Sequence, residues 1–182
     1  MQRRNGSIAR KSSISKSTAL LPDDDFVIAG ARQYSGLLES ADQKAIEIIL
    51  RIWEANRVQM AALTRAIDSL NLPFSISGAR LTVLRTIYCA PDQCLPLHQI
   101  GKSTGLSAAM VGHLVDGLVK DGLVDRLPSE LDRRVNLARL TDKGRETFHT
   151  VLPVMSRRMT EACAQFDDTD KDDLLHLLQR LS

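Results

Sequence analysis

The chain has 182 residues, of which 43% are hydrophobic, and it carries a formal net charge of +2. This length suits one globular domain with an additional segment, and no apolar run approaches the roughly 20 residues that span a bilayer. The start of the chain also lacks the apolar centre of a secretory signal, so we expect a cytoplasmic protein without membrane contact.

Positive charge is concentrated at the start of the chain. Residues 1–20 contain five Arg and Lys and no acidic residue, so the remainder holds 19 basic and 22 acidic residues. Residues 1–35 are also rich in Ser and poor in large apolar groups, which predicts a disordered basic tail. Such a tail can add non-specific affinity for phosphates, although an unstructured segment without a role explains the composition equally well. Phosphate binding elsewhere in the chain would need a local basic patch.

A long amphipathic helix is predicted from about Ser40 to Leu70. Its apolar residues spread over more than one face: Ile46, Ile49, Leu50, Trp53, Val58, Met60, Leu63 and Ile67. An apolar surface this wide suits burial against a second subunit as well as the core of the chain itself. Pro73 interrupts the pattern, and Ser77 is a suitable N-cap for a second helix that reaches about Cys89.

After a predicted loop from Pro91 to Pro96, two short helices are expected on either side of a tight turn. Gly105 lies where the chain must turn with a positive φ, which glycine adopts at little cost. Ser107 can cap the second helix, which ends near Gly122. Apolar residues recur along it at helical spacing: Met110, Val111, Leu114, Val115, Leu118 and Val119. This arrangement is typical of a helix-turn-helix, whose second helix enters the major groove of DNA.

The hydrophobic period changes from 3.6 towards 2 after the second helix. Residues 123–127 and 135–140 are predicted strands joined by a turn at 128–132, which makes a small hairpin, or wing. Arg133 and Arg134 lie at its tip and return strand. Guanidinium groups on a thin hairpin can reach phosphates or enter a minor groove, whereas charge alone would also fit a solvated turn.

Two further helices are predicted after the wing. Thr141 caps a helix that reaches about Phe166, and Pro153 inside it should produce a bend. Thr169 is the predicted cap of a final helix. Its leucines form a face too apolar to remain in water: Leu174, Leu175, Leu177, Leu178 and Leu181. The first long helix and these last two are therefore the predicted dimer interface.

The cysteines do not indicate a disulfide framework, because three is a small and odd number. Cys89, Cys94 and His98 are spaced in a way that invites a zinc site, since thiolate and imidazole are preferred ligands. No fourth ligand accompanies them, so we predict neither a metal nor another cofactor. Paired carboxylates, an activated nucleophile and a phosphate-binding glycine loop are also missing from the sequence, which argues against an enzyme.

Four short segments follow one another through the predicted helix-turn-helix, the wing and the start of the next helix. They are TGLS at 104–107, LVDGLVKDGLVDR at 114–126, DRR at 132–134 and LTDKG at 140–144. Together they resemble the MarR family of winged helix-turn-helix transcription regulators, and the similarity extends over roughly residues 40–181. The resemblance implies an α-helical homodimer that places two reading heads on one DNA duplex.

Elements and resemblance together predict a mainly α fold with a small β wing, a winged helix-turn-helix with long dimerisation helices at both ends. We expect residues 36–182 to form this domain. Its DNA-binding lobe should span about 77–140, and its dimerisation helices about 40–70 and 142–181.

Similarity to the recognition helix of the family gives three candidates for DNA contact: Ser107, Ala109 and His113. This set is poor in the Arg, Asn and Gln groups that make bidentate base contacts. In the wing motif of the family the acid is structural and one arginine contacts DNA. We therefore expect Arg133 in the minor groove and Arg134 at a phosphate or paired with Asp132, in either order.

Many members of the family bind small aromatic or phenolic carboxylates between the long helices and the reading head. Trp53, Arg57 and Arg80 are the candidates for such an effector site, although each also suits packing or surface charge. The predicted function is a ligand-responsive repressor that binds a pseudo-palindromic site as a homodimer, with half-sites ~10 base pairs apart. The alternative is a protein-interaction or anti-repressor module that keeps the fold but has lost DNA reading, which the apolar reading helix favours.

Overall fold

The computed structural model describes residues 24–37, 42–130, 132 and 134–181. The elements in chain order are α1 (Asp24–Leu37), α2 (Gln43–Asp68), α3 (Gly78–Tyr88), a 3-10 turn (Pro91–Gln93), β1 (Cys94–Pro96), α4 (Leu97–Thr104), α5 (Ala108–Lys120), β2 (Val124–Pro128), β3 (Asn136–Leu140), α6 (Asp142–Ala162) and α7 (Asp168–Gln179). This confirms the mainly α fold with a small β wing. The described residues divide into two compact units, one that ends at Val58 and one that begins at Gln59, both within α2.

The first unit contains a helix that the composition did not predict. Residues 24–37 form α1, so the expectation of disorder is wrong for residues 24–35; the part of the predicted tail before them lies outside the described residues. Val27 and Ala31 are buried and lie one helical turn apart. At Gly30 an added Cβ would lie 3.6 Å from Cδ1 of Leu50, so α1 packs closely on α2.

The second unit contains the main hydrophobic core. Its largest fully buried side chains come from the end of α2, from α3 to α5, from β2 and α6, and from the segments just before α3 and β2: Ile67, Ile76, Leu84, Ile87, Ile100, Leu118, Leu123, Val83, Val111, Val115, Val124 and Val151. The inner faces of the two helices of the helix-turn-helix, α4 and α5, pack into this core. It therefore fixes which faces of α4 and α5 remain in solvent.

Side chains cap the starts of α3 and α6 at the residues that the sequence predicted. Ser77 accepts a hydrogen bond from the backbone N of Arg80 at 3.3 Å, and Thr141 accepts one from the backbone N of Gly144 at 2.9 Å. The predicted cap of α7 is wrong, because Asp167, not Thr169, begins it. Asp167 and the aspartate three residues later form a reciprocal capping box, which satisfies two backbone donors at once.

The sheet has three antiparallel strands in the order β1-β3-β2, one more than the predicted hairpin. Cys94 to Pro96 were expected in a loop but pair with β3, where Leu95 lies opposite Ala138. A strand of three residues is too short for its hydrophobic period to be visible in the sequence. The added strand ties the start of α4 to the base of the wing.

None of the helices in the described part of the chain is long and apolar enough to cross a membrane.

Candidate nucleic-acid interface

Helix α5 presents a small, largely apolar face to solvent. Ser107 accepts a hydrogen bond from the backbone N of Met110 at 3.3 Å and caps the helix. Ala109 and His113 are exposed and lie one turn apart on the same face. Met110 and Val119 were expected on the buried stripe, but 47% and 38% of their surfaces are exposed. The core accommodates a narrower stripe than the sequence pattern suggested, so Met110 adds to the outward surface.

The wing turn is ordered by the acid of the DRR segment. The Asp132 carboxylate accepts a hydrogen bond from the backbone N of Arg134 at 2.9 Å, and its carbonyl accepts one from the backbone N of Val135 at 2.9 Å. Asp132 thus folds the backbone of the turn, while the Arg134 side chain is exposed. Arg133, the other predicted wing contact, lies outside the described residues.

An ion pair joins the wing to α5. Arg126 on β2 donates to the Asp116 carboxylate at 2.7 Å, and Asp116 lies on the outward side of α5, one turn beyond His113. Both side chains are substantially exposed, so the pair contributes at most about 1 kcal/mol to stability. The pair helps to orient the wing, because it links β2 to α5.

Charge is distributed unevenly within the body of the protein. Residues 76–140 contain eight Lys and Arg against six Asp and Glu, whereas residues 141–182 contain six against eight. Exposed cations lie on several elements of the lobe, among them Lys102 on α4, Lys120 on α5 and Arg139 on β3. The acidic excess of residues 21–182 is therefore not shared by the reading lobe, residues 76–140.

The C-terminal end of α5 is held by side chains from two other helices. Arg80 of α3 donates to the Asp121 carboxylate and to the Gly117 carbonyl, and from α6 Lys143 donates to the Asp121 carbonyl at 2.6 Å. Thr141 donates to the next carbonyl, that of Gly122, at 2.8 Å. Cations at this end also complement the helix dipole. Sequence reasoning missed this cluster because its members are far apart along the chain.

The three candidate effector residues have different environments. Trp53 is 66% exposed on α2. Arg57 is already hydrogen-bonded to Glu54, from Nε to Oε2 at 2.8 Å. This bond lowers the pKa of the Glu54 carboxyl and raises that of Arg57. Arg80 belongs to the second unit, where its two Nη atoms donate to Asp121 and to backbone carbonyls. The effector role stays a prediction for Trp53 and Arg57, and Arg80 is committed to internal contacts.

The second unit also has an open cleft of about 290 Å³ between α2 and α6. It is lined by Ala62, Arg65, Ala66, Arg157, Arg158 and Glu161. Glu161 accepts a hydrogen bond from Arg158 at 2.7 Å. With three guanidinium groups and one carboxylate among its lining residues, the cleft has a cationic character.

The cysteines and His98 do not form a metal site in the structure. Cys89 caps the end of α3, Cys94 begins β1, and both are free thiols. Across residues 24–37, 42–130, 132 and 134–181, no three His, Cys, Asp or Glu side chains are grouped so that they could hold a metal ion.

Two short helices across a glycine turn, followed by a wing that is paired to the second helix, define a winged helix-turn-helix protein. The family model described as "MarR family" matches residues 76–135, which lie within this lobe. The winged helix-turn-helix lobe therefore carries a MarR-family domain, as the four sequence segments predicted.

Similarity to individual proteins extends beyond the lobe. The chain is 21% identical over 158 residues to the HTH-type transcriptional repressor YetL of Bacillus subtilis, which covers 87% of this chain and 90% of that protein. It is 24% identical over 128 residues to the transcriptional repressor MprA of Escherichia coli, covering 69% and 73%. A crystal structure of a mutant MarR from E. coli, complexed with operator DNA, has a TM-score of 0.67 at 23% identity and covers 78% of this chain and 99% of that one.

Proposed function

We propose that this protein is a transcriptional repressor that binds a pseudo-palindromic DNA duplex as a homodimer in the cytoplasm. The observation that carries the proposal is the pairing of an outward face on α5 with a wing whose ordered turn exposes Arg134. In this arrangement the Ala109 methyl packs against a thymine methyl in the major groove, and Ser107 and His113 donate to phosphates or base edges. The fold shared with the operator-bound MarR mutant supports the same placement.

Few groups on α5 are suited to direct base readout, so phosphate contacts should provide most of the affinity. Binding of the full-length chain to duplex DNA from upstream of its own gene, followed by gel shift, should weaken on the order of a hundredfold or more between 50 and 200 mM salt. The same duplex with its half-sites moved apart by five base pairs serves as the control, because half a helical turn places one half-site on the opposite face of the DNA. Binding that ignores both salt and half-site spacing would instead favour the protein-interaction module.

The homodimer is supported by an apolar surface that the single chain leaves in solvent. Five leucines near the end of the chain are 40–59% exposed: Leu174, Leu175, Leu177, Leu178 and Leu181. Met159 and Leu152 on α6 are exposed as well. Exposed apolar patches mark protein–protein contacts, and a two-fold interface buries the same patch on both subunits.

Leu178→Glu is expected to shift the protein from dimer to monomer. Because 40% of the Leu178 surface is exposed in the single chain, each subunit would lose about 0.6–1.2 kcal/mol of apolar burial and place a charge in the interface. The dimer dissociation constant should therefore rise at least about tenfold. Sedimentation equilibrium measures this change. His176→Glu adds the same carboxylate on the opposite face of α7 and should leave the dimer intact; equal behaviour of the two variants would place the interface elsewhere.

A small aromatic or phenolic carboxylate is the proposed effector. The cationic cleft between α2 and α6 supports an anionic ligand, because guanidinium groups bind carboxylates in a planar, bidentate geometry. Trp53 and Arg57 remain candidates for a second contact region. Salicylate added to the gel shift above is the probe: release of the duplex supports the effector class, and unchanged binding argues against it.

A further inference from the structure

Arg80 joins three parts of the lobe through one guanidinium group. It donates to the Ser75 carbonyl at 2.7 Å, to the Gly117 carbonyl at 3.2 Å and to the Asp121 carboxylate. Ser75 precedes α3, while Gly117 and Asp121 belong to the last turn and the C-cap of α5. We infer that Arg80 is a positioning residue for DNA reading, which sets the angle of α5 by holding its C-terminal end. The inference rests on the proposed function.

Because α5 is long, the contacts of Arg80 at its C-terminal end also determine the position of its N-terminal end. The helix has 13 residues and is therefore about 20 Å long. Ala109 lies at its N-terminal end and Asp121 at its C-terminal end. A tilt of about 5° at Asp121 would displace Ala109 by roughly 2 Å over such a length, which exceeds the tolerance of a hydrogen bond or a methyl contact. Reading at the start of α5 thus depends on contacts made at its end.

The chemistry of the Arg80–Asp121 pair indicates that its role is to orient α5 rather than to stabilise the fold. The side chains of Arg80 and Asp121 are only 17% and 23% exposed, so both groups lose much of their hydration. The Arg80 Nε is buried and has no hydrogen-bond partner in the described part of the chain. Replacing such a pair with apolar side chains is often neutral or stabilising. A directional contact retained at this cost is best suited to selecting one orientation of the helix.

Residues at the start of α6 also hold the C-terminal end of α5. Lys143 and Thr141 bind the carbonyls of Asp121 and Gly122, so the residues that end α5 are tied both to α3 and to the first turn of α6. Lys143 also lies over the Phe74 ring, 5.2 Å from its centre, which restricts its side chain further. Without Arg80, the C-terminal end of α5 would keep, among the described residues, only the side-chain contacts from Lys143 and Thr141.

The test compares Arg80→Met and Asp121→Asn with wild type on two DNA probes. One probe is a duplex that the wild-type dimer selects from a random library, and the other is a scrambled duplex of the same composition. We expect affinity for the selected duplex to fall about tenfold, the loss of one good base contact, with affinity for the scrambled duplex unchanged. Arg85→Met, at an exposed position on the same helix, is the matched control.

The ratio of the two affinities separates positioning from folding. A smaller folded fraction would lower both affinities by the same factor, whereas a misplaced α5 lowers only the specific one. The double variant should lose no more than Arg80→Met alone, because Arg80→Met already removes the contact with Asp121. Selective binding that survives in Arg80→Met and Asp121→Asn, or equal losses on both probes, would overturn this inference alone. A wild-type protein that selects no duplex would overturn the proposed function and the inference with it.

Discussion

Gly144→Ala is expected to lower the free energy of unfolding by more than about 3 kcal/mol, beyond the usual cost of overpacking. An alanine Cβ at this position would lie 2.0 Å from the Leu123 carbonyl oxygen and 2.8 Å from Cδ1 of Leu140. The nearer atom belongs to the backbone just before β2, and its carbonyl already accepts a hydrogen bond from the backbone N of Thr141 at 3.1 Å. Neither α6 nor the strand can therefore move aside without breaking the junction between them.

Gly112→Ala provides the matched control for the same chemical change. A Cβ at Gly112 would meet no atom of the described residues within 4 Å, so this substitution should stabilise α5 by up to about 1 kcal/mol. Urea unfolding followed by circular dichroism measures both variants. A Gly144→Ala protein as stable as wild type would show that α6 can shift freely against β2.

The double variant Arg133→Ala/Arg134→Ala is expected to weaken DNA binding by on the order of a hundredfold at low salt. A dimer would lose four guanidinium groups from its two wings. If all four neutralise phosphates, the slope of log affinity against log salt should decrease in magnitude by up to about 3.6. Gel shifts at several salt concentrations measure both quantities. The Asp132 contact that orders the turn involves the backbone of Arg134, so it can persist without either guanidinium group.

The single variants assign the two wing arginines separately. A phosphate contact should weaken binding to all sequences alike, whereas an arginine in the minor groove should also alter the preference for A·T-rich DNA next to the half-site. Arg85→Ala removes the same charge from α3 and should bind as wild type does. If the double variant matched Arg85→Ala in affinity and salt slope, the wing would have no role in DNA binding.

The sequence predicted the features that depend on neighbouring residues and missed those that depend on contacts between residues far apart in the chain. The helix-turn-helix depends on local signals, and Ser107 and Gly105 could be assigned because a cap or a φ of +70° is set by neighbouring residues. The strand β1 was missed because its identity comes only from pairing with β3, more than forty residues later. The Arg80–Asp121 pair spans 41 residues, and no periodic pattern relates its members. Arg80 was therefore assigned to an effector when its charge was already used inside the fold.

The reading lobe is cross-linked by polar contacts at opposite edges of α5. Arg126 ties the outward side of the helix to the wing through Asp116, while Arg80 and Lys143 secure its end. Bending the lobe internally would break several of these contacts together. In the proposed homodimer, an effector would therefore act at lower energetic cost by moving each lobe as a rigid body, so that DNA affinity would depend on the separation of the two lobes along the duplex.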